Sequence, residues 1–281
     1  MASKQINSDL LIASETERAK ISVQRQEEQK EIIAKVAEDA RSFINQNKAD
    51  KAVDLAFRCL QESSQIFGED SIELMPLYFE LADGNLKIGR KKRAEGFLIG
   101  GRWTLLKHQP SENEKTEENK EFEKRVSKLR SRLLKSFGFL FTEIGNYHDA
   151  LGSLTENIYL ESLDKGPEHY SISGSYYLMG NIFLQQQKKE EALSFYNQMN
   201  LTWKKFLDNT EDQESSGIKK VEIEQACNEL NEVLTFVEKH LGDDSDMHAE
   251  IRNTLSRLYD YINEIDKKEH RASHLEENDE E

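Results

Sequence analysis

The sequence predicts an all-α protein, a right-handed superhelix of antiparallel helix pairs, on three observations. Ala52, Ala94, Ala150 and Ala192 recur at intervals of 42, 56 and 42 residues. Twelve positions before each stands another small residue (Ala40, Ala82, Gly138, Gly180), and four positions after each an apolar one (Ala56, Leu98, Leu154, Tyr196). Small residues facing one another, with an apolar side chain one turn on, are how two antiparallel helices approach closely. Composition agrees: three prolines and fourteen glycines interrupt 281 residues that are 37% hydrophobic and 32% charged, which suits helix rather than sheet.

Each alanine follows a turn-like stretch: NQNKADKA, KIGRKKRA, EIGNYHDA and QQQKKEEA. The pattern is tetratricopeptide-like, with the usual period of about 34 residues lengthened in both helices. Residues 1–14 carry no periodic pattern and are expected to be disordered. A long helix is expected from Glu15 to about Asn45, its stripe formed by Ile32, Val36, Phe43 and Ile44. Its partner runs from about Lys48 to Phe67, with Val53, Leu55, Ala56, Cys59 and Leu60 inward, until Gly68 breaks it.

In the second pair, residues 71–89 place Leu77, Tyr78, Leu81 and Leu86 at helical spacing, and Pro76 sits near the start, where its missing N–H costs little. The partner helix carries Gly96, Gly100 and Gly101. Glycine inside a helix costs up to about 1 kcal/mol relative to alanine, so three of them point either to another backbone passing close by or to a kink. Residues 110–124 form an acidic insert that stretches the middle interval, read as a solvated loop or a helical extension. The third pair sets Leu134, Phe137, Gly138 and Phe141 on Ala150, Leu151 and Leu154; the fourth sets Tyr176, Met179, Gly180 and Phe183 against Ala192, Leu193, Tyr196 and Met199. Four pairs thus span 15–207, followed by a loop at 208–217, a C-terminal helix pair at 218–266 and an acidic tail, 267–281, expected to be disordered.

The net charge of −15 repels nucleic acid and anionic lipid, so neither is an expected partner. No stretch approaches the roughly 20 apolar residues of a membrane span, and the amino terminus has too short an apolar run for a signal peptide. A cytoplasmic location is therefore expected. Cys59 and Cys227 make no disulfide framework, and Cys59 reads as a reduced core thiol. No phosphate-binding, dinucleotide-binding, zinc-protease or nucleophile-elbow motif is present. His240 and His248 flank a Gly-Asp-Asp turn but lack the further ligands of a metal site. The reading is non-enzymatic, with no catalytic residue, metal or cofactor expected.

Stacked helix pairs line a concave face with their first helices. With position one set at Ile33, Met75, Ser131 and Ser173, positions five, nine and twelve point into that groove. Position five gives Ala37, Phe79, Lys135 and Tyr177; position nine gives Arg41, Asp83, Phe139 and Asn181; position twelve gives Ile44, Leu86, Thr142 and Leu184. Apolar and aromatic side chains with isolated polar points suit a partner helix. The competing expectation is that the chain's own terminal helices fill the groove. A chaperone-type clamp for acidic C-terminal peptides would draw on Lys135, Arg41 and Asn181, too little positive charge beside Asp83.

A longer run is more specific than the alanine beat: Ser71-Ile-Glu-Leu-Met-Pro-Leu-Tyr78, Leu81-Ala82, Gly89-Arg90, Ala94-Glu95 and Trp103-Thr-Leu-Leu-Lys107. Tyr176-Tyr-Leu-Met-Gly-Asn-Ile-Phe183 and Trp203-Lys-Lys-Phe-Leu207 accompany it. Over roughly residues 25–207 the chain resembles the repeat region of the ciliary zinc finger MYND domain-containing protein 12 family. That resemblance implies a scaffold subunit of the ciliary axoneme that helps anchor or tether a single-headed inner-arm dynein. The implied partners are the dynein heavy-chain tail and another tetratricopeptide axonemal protein, with the doublet microtubule as a further candidate. The family's Cys-rich zinc module cannot be built from two cysteines, and the family's carboxyl end runs longer, so zinc-dependent roles are not implied. The alternative expectation is a cytosolic adaptor that binds cargo or chaperone peptides.

Overall fold

The computed structural model describes residues 15–109, 116–210 and 218–279. Among these, ten α-helices and no strand appear: α1 (Glu15–Asn45), α2 (Ala49–Phe67), α3 (Met75–Lys87), α4 (Lys91–Lys107), α5 (Glu117–Glu143), α6 (Tyr147–Lys165), α7 (Ser173–Gln185), α8 (Lys189–Thr210), α9 (Lys220–Leu241) and α10 (Asp246–Asp279). Short 3-10 turns, Ile72–Leu74 and Tyr170–Ile172, lead into α3 and α7. Neighbouring helices pack as pairs, giving an all-α, tetratricopeptide-like repeat fold. The pairs fall into two units, one holding α1–α4 and the other α5–α10.

Local sequence accounts for the turns. Inside the four pairs the chain enters the left-handed region at Asn47 (φ 58°), Gly89 (77°), Gly145 (80°) and Gln187 (61°). The next residue returns its N–H to a carbonyl five positions back: Lys48 to Phe43, Arg90 to Asn85, Asn146 to Phe141 and Lys188 to Phe183, at 2.8–2.9 Å. This is the Schellman closure of a helix C-terminus. Two of its four left-handed positions carry the glycine that the geometry favours. Helices α2 and α3 recur as α6 and α7, with the same lengths, 98 residues later.

The alanine beat performs the packing expected of it. Ala52, Ala94, Ala150 and Ala192 are fully buried, as are Ala40 and Ala82. A Cβ on Gly138 would lie 2.5 Å from the Leu154 side chain, and one on Gly180 would strike the ring of Tyr196. The missing methyl groups therefore leave the space that Leu154 and Tyr196 fill. In the first unit Ile33, Ala40, Val53, Ala56, Leu77 and Leu81 form one core. In the second, Ala150, Leu154, Met179 and Ile182 form another. A third cluster joins Tyr196, Met199 and Trp203 of α8 to Leu230 and Val233 of α9 and to Ile251 and Leu255 of α10.

Three expectations fare differently. Two of the three glycines of α4 have no neighbouring backbone beside them: a Cβ on Gly96 or Gly100 would meet nothing within 4 Å, whereas Gly101 is buried. The acidic insert becomes helix from Glu117, where the Thr116 hydroxyl accepts the Asn119 N–H at 3.2 Å, while its residues 110–115 lie outside the described residues, as do 1–14, 211–217 and 280–281. The tail expected to be disordered is helical to Asp279, as part of α10. Extending a helix already nucleated by the packed residues Ile251, Leu255 and Leu258 fixes one residue per hydrogen bond, so propagation needs no new core.

The glycines divide into two classes with opposite responses. Gly180→Ala is expected to destabilise the fold by about 1–3 kcal/mol through overpacking on Tyr196. Gly96→Ala is expected to stabilise it by about 0.5–1 kcal/mol through helix propensity alone. Urea unfolding of the two variants reads both signs; a stabilising Gly180→Ala would contradict the interlock.

Candidate functional site

In the first unit the groove positions lie on α1 and α3. The second of these helices is buried on most of its circumference, nine of its thirteen residues being buried. Phe79 and Leu86 are each 3% exposed and Ala37 is 9% exposed, so these three are core side chains rather than a free surface. Ile44 is half-buried against the cluster of Ile33, Ala40, Val53 and Leu77. Arg41 is half-buried and engaged inside the unit: its Nε and Nη2 donate to Glu80 Oε1 at 3.2 and 2.5 Å. Glu80 is itself 1% exposed. A buried carboxylate requires a paired cation, and this pairing ties α1 to α3. Asp83 is half-buried on α3.

In the second unit α5 and α7 carry the remaining positions. The Lys135 ammonium sits over Gly174, where a Cβ would strike it, and Glu229 Oε2 of α9 lies 3.8 Å from the same point. The Tyr177 hydroxyl donates to Glu232, also on α9. Burial pushes the Tyr177 phenol well above its ordinary range, and the hydrogen bond to Glu232 reinforces the shift. Asn181 Oδ1 accepts the Tyr196 hydroxyl at 2.6 Å. Phe139 and Leu184 are half-buried against apolar clusters. Thr142 is 4% exposed and donates to the Gly138 carbonyl at 2.7 Å. Helix α9 thus packs along α7 and α8 as the first helix of a fifth pair. Its Glu232 engages the Tyr177 hydroxyl, one of the groove positions that sequence alone assigned to a partner.

One polar cluster escaped sequence reasoning. Asn157, 2% exposed on α6, donates to the Ser131 carbonyl at 2.8 Å and accepts the Ser175 hydroxyl at 2.6 Å. Ser131 Oγ in turn donates to Glu161 at 2.6 Å. The cluster joins α5, α6 and α7 and leaves none of its buried side-chain polar atoms without a hydrogen bond, the arrangement of a structural clamp. Its signal was faint: Asn157 stands seven residues after Ala150, where Cys59 follows Ala52.

Both thiols are free and buried. Burial pushes Cys227 up to about 12 and raises Cys59, so both stay protonated and unreactive near neutrality. His248 is 3% exposed while His240 is exposed and contacts the Phe236 carbonyl. Among the described residues no three His, Cys, Asp or Glu side chains converge as a metal ion would need. No described helix is long and apolar enough to cross a membrane.

The outer face of α4 presents a different surface. Ile99, Trp103 and Leu106 are 55%, 58% and 50% exposed. Their spacing places them on one stripe, opposite the buried Ala94, Leu98 and Leu105. Lys107 holds its ammonium 5.5 Å from the Trp103 ring and pairs with Asp70. No protein-family model matches the chain.

One titratable group has a readable role. His169 Nδ1 accepts the Ser171 N–H at 3.2 Å and so caps the 3-10 turn before α7. Ser71 does the same before α3, 98 residues earlier. Only a neutral imidazole can accept that bond. Burial lowers the His169 pKa from its ordinary 6.5, and the nearby Lys165 charge adds to the effect. A folded-state value below the unfolded one means that the unfolded chain binds the proton more readily. Stability is therefore expected to fall as pH drops below about 6.5. His169→Ser keeps a cap without a titrating ring, so its melting temperature should vary less over that window than the wild type's. Equal slopes would remove His169 from the account.

Proposed function

We propose that the chain is a non-catalytic scaffold that binds partner helices. On its resemblance over Ser71–Lys107, its place is the ciliary axoneme, where it helps tether a single-headed inner-arm dynein to the doublet microtubule. The observation that carries the scaffold reading is the helix-pair repeat itself. Each pair buries one face against its neighbours and leaves rows of side chains on the others, a geometry for extended contacts with other proteins. The polar side chains met inside the units are committed to structure: Arg41 to Glu80, Asn157 to Ser131 and Ser175, and both cysteines to burial. None is arranged as a nucleophile beside a base.

The axonemal part of the reading rests on the resemblance. Its partners would be the dynein heavy-chain tail and a second tetratricopeptide protein. The alternative, a cytosolic adaptor gripping acidic C-terminal peptides, needs cations open to the groove, whereas Arg41 is drawn onto Glu80 and Lys135 onto Gly174 beside Glu229.

The chain tagged at its natural locus in a ciliated cell should lie along the axoneme and leave it with inner-arm dyneins at high salt, as polar docking on an acidic subunit predicts. Cross-linking of isolated axonemes should then join it to a dynein tail. A uniform cytosolic signal, with cross-links to cargo or chaperones instead, would overturn the axonemal reading in favour of the adaptor.

A further inference from the structure

We infer that the outer face of α4 is a docking site for an acidic amphipathic helix of another protein. The inference does not depend on the axonemal reading, since it starts from a surface that the groove does not include.

Three facts meet on this helix. First, Ile99, Trp103 and Leu106 stand at i, i+4 and i+7 and are each at least half exposed. A contiguous apolar stripe on an outer helix face marks an interaction surface, and tryptophan is the residue type most enriched at the centre of such surfaces. Second, the helix is basic within an acidic protein. It carries Lys91, Lys92, Arg93, Arg102 and Lys107 against the single acid Glu95, while the whole chain has a net charge of −15. Lys92 lies in line with the stripe and Arg102 along its edge; both are exposed, and neither has an ion-pair partner among the described residues. Third, Gly96 and Gly100 leave the flank of the stripe bare, a Cβ on either meeting nothing within 4 Å. A shallow channel beside an apolar ridge accepts the ridge of a second helix.

Charge selects the occupant. Cations at the edge of an apolar stripe complement a partner helix with a leucine-type stripe flanked by Glu or Asp. A second copy of this chain is disfavoured by mutual repulsion at −15 each. An anionic membrane meets the same overall repulsion. It would also demand a broad basic surface, which the acidic remainder of the chain does not supply.

Fluorescence gives a direct readout, because the chain has two tryptophans and Trp203 is already 2% exposed. The full chain is titrated with three probes: a synthetic helix-forming peptide with leucines on one face and glutamates beside them, the same composition scrambled, and phosphatidylserine vesicles. The proposal predicts a saturable blue shift and loss of acrylamide quenching with the amphipathic peptide alone. Affinity should weaken about ten-fold or more in Lys92→Glu/Arg102→Glu, with unchanged circular dichroism, and fall steeply with salt. Trp103→Phe should lose the spectral shift while anisotropy of labelled peptide still reports binding. Equal binding of the scrambled peptide, unaltered affinity in the charge-reversed variant, or no binding at all would overturn the proposal. A shift with vesicles but not peptide would assign the face to a membrane, and a shift that grows with protein concentration alone would assign it to a second copy.

Discussion

The close approach of paired helices through missing side chains governs this structure. Where α5 crosses α6, Gly138 leaves room for Leu154; where α7 crosses α8, Gly180 leaves room for Tyr196. The alanines of the beat are wholly buried at the corresponding places on the second helices. Protein interiors are packed to crystal-like density, so these small residues fix how closely each pair can approach. Every later feature inherits that spacing: the shared cores, the reach of Arg41 to Glu80, and the clamp centred on Asn157.

The same constraint explains why the polar side chains look functional in sequence and structural in three dimensions. A first helix packed on both sides has little surface left to offer. On α3, which packs against both α2 and α4, Phe79 and Leu86 are buried. On α7, the hydroxyl of Tyr177 and the amide of Asn181 are drawn into bonds with α9 and α8. Interaction capacity shifts to exposed faces such as the outer stripe of α4, with Ile99, Trp103 and Leu106. Its basic flanks set it apart from the acidic average of the chain.

Much of the fold was legible in sequence because its signals are local or periodic. The bounds of α1, α2 and α4 follow from apolar spacing and from turn residues such as Gly68 and Gly89, and the facing of Gly138 with Leu154 follows from counting. The groove was less legible. The positions chosen for it assume one buried and one open face per helix, whereas a helix enclosed by neighbours on both sides shows no such alternation. For Gly96 and Gly100 sequence left a close backbone and a kink both open, because a glycine in a helix records the absence of a side chain, not what lies beside it; the close backbone is the one not found. The Asn157 cluster joins residues 131, 157, 161 and 175, which only the crossing of three helices brings together.

The interlock is tested most directly by a double-mutant cycle on Gly138→Ala and Leu154→Ala, followed by equilibrium unfolding. If Leu154 fills the space left by Gly138, the methyl group should be costly beside leucine and tolerated beside alanine. The two changes should then couple by about 1 kcal/mol or more. Effects that add within about 0.5 kcal/mol would mean that the two residues do not share that space, and the helix pairs would need another explanation for their spacing.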